Sequence, residues 1–380
     1  MKQALLSVLL LTLNSSVSAH FYFRPYQSYC LPSAKELLLN ETDGKFQSLI
    51  DSCSQDPPND GIQRGLTDHF MAWLHKNRYE PYNFNRAELG PRASFGGKQD
   101  ENETISNVPV IFIHGNSDAA VGYNPERGET GWTSSIKYFL EKGYKKSELY
   151  TTTYGFIDYW HVGEHHNSPE YVVQIRRFIQ AVLKYTGASK VNVIAHSMGV
   201  AMTRKALKGG WINNTQDDPL YLGEPLTHKI DVFVGIAGLN HGWTVCQNDT
   251  LLEIYNTCSK SFGFYPGDNK TEGMVHHPKL KLSQSLLDIN KDPSREAKHV
   301  FALVAKNDAR VPPIVNGINT SLFPTIDDYL VIDDPAIDHI TIKDNTQEIQ
   351  YHLVRHKKFK QAHKIGNQIN QDCDLEAVEL

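Results

Sequence analysis

From about residue 108 onward, apolar residues gather into short unbroken runs separated by amphipathic stretches. Val108 to Ile113 reads VPVIFI, a β-branched run with no polar interruption, as expected of a strand covered on both faces. It predicts a strand that empties into the loop His114-Gly115-Asn116. A helix is predicted near Trp132 to Lys142, with Trp132, Ile136, Phe139 and Leu140 on one face and Gly143 as its stop. Leu149 to Tyr154 reads as the next strand. Ser168-Pro169 then opens a helix through an N-cap and a first-turn proline, and Val172, Ile175, Phe178, Ile179 and Val182 give it an apolar stripe. Val191 to Ala195 is a predicted strand, and Met198 to Lys208 a helix that stops at Gly209-Gly210. Further strands are predicted over Ile230 to Ile236, Val300 to Ala305 and Tyr329 to Ile332, with a last helix near Thr346 to Lys358. Strands alternating with helices imply parallel crossovers, hence an α/β fold with a doubly wound, mostly parallel sheet and helices on both faces.

Two stretches break the alternation. Residues 20–107 are rich in Pro and Asn and read as an N-terminal extension packed on the 108–380 domain. Within it, one amphipathic helix is predicted near Ile62 to His75, and Gly96 to Ser106 reads as a linker or surface strap. Residues 240–295 lack strand signals and carry Trp243, Phe262, Phe264 and Tyr265. A stretch of that length inside a sheet domain is a cap-like or lid-like insertion, or a surface insertion whose aromatics belong to the core. Both readings stand at this level.

The first residues set the compartment. Lys2, the apolar run Leu5 to Leu13 and the small residues Val17-Ser18-Ala19 have the order of a secretory signal peptide over residues 1–19. The run is far shorter than the roughly 20 residues a membrane span needs. The expectation is a secreted, extracellular protein with no transmembrane segment. Secretion makes disulfides available to the five cysteines. Cys246 with Cys258 is the favoured pair and Cys30 with Cys53 the second, which leaves Cys373 over. Asn-x-Ser/Thr triplets at Asn40, Asn102, Asn213, Asn248, Asn269 and Asn319 are candidate glycosylation sites.

Composition narrows the function classes. With 380 residues and 40% hydrophobic side chains the chain is neither disordered nor fibrous. Lys+Arg 38 against Asp+Glu 43 gives a net charge of −5, with no basic surplus to neutralise a phosphate backbone, so no nucleic-acid partner is expected.

The candidate chemistry centres on Ala195-His196-Ser197-Met198-Gly199, between a predicted strand and a predicted helix. A nucleophilic serine on so sharp a turn needs minimal side chains two residues to either side, and Ala195 and Gly199 supply them. A serine hydroxyl needs a base, and the base needs a carboxylate to hold its tautomer. Asp308, after the strand Val300 to Ala305, and His339, after the strand Tyr329 to Ile332, follow Ser197 in the order this architecture uses. All three then fall beyond the carboxyl edge of one parallel sheet. Asp333 and Asp334 lie at the same strand end as His339, Asp338 is its neighbour, and Asp327 and Asp328 precede the last strand. Asp308 is therefore the favoured acid. The oxyanion donors are expected to be the backbone N–H groups of Met198 and Asn116. His114 reads as a structural hydrogen-bonding residue. His161, His165, His166, His276 and His277 fall outside the base's slot, and no spaced third ligand accompanies them, so no metal or other cofactor is expected.

The segments VPVIFIHGNSD, GWTSSIKYFLEKGY, VNVIAHSMG and GIAGLNHG together resemble the class 2 secreted lipases, nematode members best, over roughly Phe70 to His356. Small bacterial relatives share the elbow that begins with Ala. The resemblance implies an α/β-hydrolase fold acting on carboxylic esters, mainly acylglycerols, and carries over Ser197, Asp308 and His339 as nucleophile, acid and base, with Asn116 and Met198 as oxyanion pair. The chain departs from the family pattern before about Phe70 and in the 240–295 insertion. The expected activity is a serine-dependent lipase or carboxylesterase of lipid catabolism, with an ester or acylglycerol as substrate and a lipid–water interface as a candidate partner. The alternative is a catalytically weak or silent hydrolase-fold protein that binds lipid or another surface.

Overall fold

A computed structural model describes residues 60–124, 129–157, 161–212, 219–268 and 282–360. The signal-peptide segment, Cys30, Cys53, Cys373, Asn40, Asn213, Asn269, His276 and His277 lie outside the described residues. In chain order the elements are β1 (Gly65–Leu66), α1 (Asp68–Lys76), β2 (Ser94–Gly96), β3 (Val110–Ile113), β4 (Val121–Asn124), β5 (Glu129–Gly131), α2 (Thr133–Glu141), β6 (Leu149–Thr152), α3 (Pro169–Thr186), β7 (Val191–His196) and α4 (Met198–Lys208). They continue with β8 (Trp211–Ile212), β9 (Leu220–Tyr221), β10 (Ile230–Ile236), α5 (Asp249–Ile254), α6 (Gln284–Lys291), β11 (His299–Ala305), β12 (Ile314–Val315), β13 (Ile318–Asn319), β14 (Asp328–Ile332), α7 (Thr341–Asn345) and α8 (Gln347–His356).

Eight strands form one sheet in the order β1-β2-β6-β3-β7-β10-β11-β14. From β6 to β14 every pairing is parallel, and β2 meets β6 antiparallel. This is the doubly wound, mostly parallel α/β architecture that the alternating pattern implies, and it fits the α/β-hydrolase fold that the resemblance implies. Alternate residues of each strand serve opposite faces. On β3, Ile111 and Ile113 join the core that includes Ile175, Phe178 and Ile179 of α3 and Val200 of α4. Val110 and Phe112 join the opposite core with Ile136 and Phe139 of α2 and Leu353 of α8.

Two local departures from the sequence reading have physical causes. The helix expected from Ile62 begins only at Asp68, because Thr67 is extended (φ −69°, ψ 152°) and its hydroxyl caps the Phe70 N–H at 3.2 Å. Gly65, at φ 84°, and Leu66 before it are a strand. The extension is therefore built into the domain in its described part, since β1 and β2 extend the central sheet. Strands of two and three residues are too short to carry a period that sequence can reveal. In the insertion, Phe262, Phe264 and Tyr265 are buried, and Phe264 belongs to the core beneath α3 and α4. Of the two sequence readings for these aromatics, core membership is the one they occupy.

Candidate active site

β3 is flanked by β6 on one side and β7 on the other, so the winding reverses at β3 and β7. Loops leaving the carboxyl ends of strands at such a point diverge and open a crevice. Ser197 follows β7 there, with φ 56° and ψ −131°. A serine held at positive φ stores backbone strain, and Ser117 (φ 56°) and Ala237 (φ 46°) on the neighbouring β3 and β10 loops share the condition. The small residues around the turn are required by contact. A Cβ on Gly115 would sit 2.8 Å from the Ser197 Cβ, and one on Gly199 would run into the His114 carbonyl oxygen.

The crevice brings together three side chains from three strand ends. His339 Nε2 lies 2.8 Å from Ser197 Oγ, and His339 Nδ1 lies 2.6 Å from Asp308 Oδ2. Because the carboxylate only accepts, the proton sits on Nδ1, and Nε2 is left to accept from the serine hydroxyl. The other oxygen of Asp308 accepts the backbone N–H groups of Arg310 at 3.0 Å and Val311 at 2.8 Å, which fixes the carboxylate's orientation. Ser197, Asp308 and His339 are all buried. Asp333 instead pairs with Lys306 on the surface, and Asp338 accepts from the N–H groups of Ile340 and Thr341, just beyond His339 in the chain. Asp327 pairs with Arg295 at the opposite edge.

The β3 loop is held from both sides. His114 is buried, stacks on Tyr154 with ring centroids 4.2 Å apart, donates from Nδ1 to the Gly115 carbonyl and accepts the Tyr154 N–H at Nε2. Burial pushes its pKa down to about 4, which suits a neutral structural ring. Asn116 donates its side-chain amide to the Val162 carbonyl at 2.9 Å. Met198 is the first residue of α4, so its N–H has no carbonyl within the helix to bind.

Several supporting residues carry no signal that sequence reasoning used. Asp118 lies 3.6 Å from Lys343, a buried lysine on α7 that also donates to Thr130 Oγ1, so the loop after β3 is linked to the helix after His339. In the sequence, Lys343 beside Asp344 looks like ordinary surface charge. Thr257 Oγ1 lies 3.0 Å from the same Val162 carbonyl that Asn116 binds, and its N–H donates to Gly163. Thr257 is held next to the Cys246–Cys258 disulfide, the pair the sequence favours. His165 is buried, accepts the Phe156 N–H at 2.8 Å, and is pushed by burial to a pKa of about 3. Among the described residues no group of three or more His, Cys, Asp or Glu is arranged to hold a metal ion.

A family model described as Lipase (class 2) matches residues 107–352. Among solved structures, the mature Bacillus licheniformis lipase BlEst2 is similar at 13% identity over 70% of this chain and 99% of that one, with a TM-score of 0.42. MGS-MChE2, an α/β-hydrolase enzyme from the metagenome of Mar Chica lagoon sediments, is similar at 16% identity over 69% and 99%, with a TM-score of 0.37. The Paleococcus ferrophilus monoacylglycerol lipase is similar at 16% identity over 70% and 98%, also with a TM-score of 0.37.

Proposed function

The chain belongs to the class 2 lipase family of carboxylic ester hydrolases, and from that premise we propose a secreted serine-dependent lipase that hydrolyses acylglycerol esters in lipid catabolism. The observation that carries the reading is the relay Ser197–His339–Asp308, with contacts of 2.8 and 2.6 Å. In this mechanism His339 Nε2 takes the Ser197 proton as Oγ attacks the ester carbonyl, and Asp308 holds the ring by Nδ1. The oxyanion that forms is met by the N–H groups of Asn116 and Met198. Collapse of the tetrahedral species expels the alcohol, which takes the proton from His339. Water, deprotonated by the same ring, then attacks the acyl ester on Ser197 and releases the fatty acid. Gly115 supports the oxyanion assignment, because its missing side chain lets the β3 loop close on Ser197.

Secretion is supported by the leader-like residues 1–19 and by the Cys246–Cys258 disulfide, a bond that persists in oxidising compartments. Asn102 and Asn248 are exposed and fit glycan attachment; Asn319 is half-buried. No helix among the described residues is long and apolar enough to cross a membrane.

Ser197→Ala is expected to abolish release of fatty acid from tributyrin and triolein, leave the melting temperature unchanged, and remove labelling by a fluorophosphonate probe. Wild-type protein that neither turns over any ester nor takes the probe at Ser197 would instead be a hydrolase-fold binding protein.

A further inference from the structure

His196 is a buried ring at the end of β7, immediately before Ser197, and the reaction above gives it no task. Its Nε2 lies 2.7 Å from the backbone carbonyl of His339. A carbonyl only accepts, so Nε2 carries the proton and donates. Its Nδ1 is buried with no hydrogen-bond partner, and a Cβ on Gly115 would lie 3.1 Å from it. The two imidazoles stand with centroids 4.8 Å apart and planes inclined at 45°. Burial, reinforced by the neighbouring His339, holds the pKa of His196 well below the usual histidine value. An apolar side chain would fill this space without leaving a nitrogen unsatisfied, so the ring is explained by the one bond it makes rather than by packing.

That bond answers a geometric demand. β14, which delivers His339, is separated from β7 by β10 and β11. Three strand spacings of roughly 4.8 Å place the base's own strand about 14 Å from the nucleophile's. The loop from Asp333 to Ile340 must cross that gap and stop with the ring correctly aimed. Asp308, at the end of β11, holds the side chain by Nδ1. His196 holds the main chain of the same residue from the far side. A ring fixed at both its backbone and its Nδ1 has its Nε2 placed against Ser197 without further freedom.

We propose that His196 is a positioning residue for the reaction: it anchors the His339 carbonyl to the nucleophile's strand, so that Ser197, base and Gly115 loop share one support. The inference rests on the reading of Ser197, His339 and Asp308 as the catalytic relay. The test compares His196→Phe, which keeps the ring and loses the donor, with His196→Gln, whose side-chain amide reaches the Nε2 position. His196→Phe is expected to lower kcat on p-nitrophenyl butyrate ten- to a hundredfold with KM within twofold, and to slow fluorophosphonate labelling of Ser197 in parallel. His196→Gln is expected to recover most of that loss. If His196→Phe does not fold, His196→Ala takes its place with the same expectation. Wild-type kcat and labelling rate in the donorless variant would overturn the proposal, and so would equal losses in the Gln and Phe variants. Wild-type protein that fails to label at Ser197 would overturn the relay itself, a separate outcome.

Discussion

At the scale of single residues, the site depends as much on atoms that are missing as on those present. Gly115 and Gly199 let the β3 loop and α4 close on each other around Ser197. Gly115→Ala is expected to push the Asn116 N–H away from the serine. The predicted result is a loss in kcat/KM of about a hundredfold on short-chain esters, since misplacements near 1 Å cost on that order. Steady-state kinetics with a melting curve checks this; full activity would show that the loop does not need its contact with Ser197. That Ser197, Asp308 and His339 would meet is legible in the sequence because each follows a strongly apolar strand, and such strand ends converge on one edge of the sheet. His196, Asp118 and Lys343 were not legible. Their roles arise from partners 143 residues away, in the case of His196 and His339, and 225 positions apart for the ion pair, and no local pattern encodes such a meeting.

At the scale of elements, the long β-branched strands and the capped helices could be read because many residues agree on one period. Val191–His196, Met198–Lys208 and Ile230–Ile236 fall within a residue of their predicted limits. β1 and β2 could not be read, because a strand of two or three residues is specified by its neighbour in the sheet rather than by itself. The insertion shows the same dependence. Its disulfide closes a loop with a sequence separation of 12, and Thr257 inside that loop meets Val162, which in turn holds Asn116. Cys246→Ser with Cys258→Ser is expected to cost about 3 kcal/mol in the stability of the loop. It should also lower kcat more than it raises KM, because the β3 loop that carries Asn116 loses a support rather than a substrate contact. Limited proteolysis and kinetics of the double variant, or of reduced wild-type protein, read both effects. Unchanged kcat would separate the insertion from the site.

At the scale of the whole molecule, buried histidines set the behaviour in acid. His114, His165 and His196 are each buried, and their pKa values are driven down, to about 4 for His114, to about 3 for His165 and well below normal for His196. In the unfolded chain such rings take up protons near pH 6.5, while in the folded protein they do so only at lower pH, so unfolding binds protons across the interval. The stability these rings contribute is therefore complete above about pH 6.5 and is lost as pH falls from there toward 4 and 3. Each ring makes stability steeper by up to about 1.4 kcal/mol per pH unit inside that window. Urea unfolding midpoints should drop progressively between pH 7 and pH 5. A midpoint that stays flat over that range would mean that the rings are protonated in the folded state.

The order of the sheet also has a consequence in time. Ser197 is translated 142 residues before His339, and the strand that leads to His339 lies at the sheet's far edge. At about 5–20 residues per second, a ribosome spends roughly 7–30 seconds between the two. Throughout that interval the growing chain holds Ser197 without the ring that its hydroxyl meets in the folded protein. A fragment broken off anywhere between the two positions stays in the same condition. Ser197, Asp308 and His339 can thus come together only once the last strand of the sheet has been made and has docked.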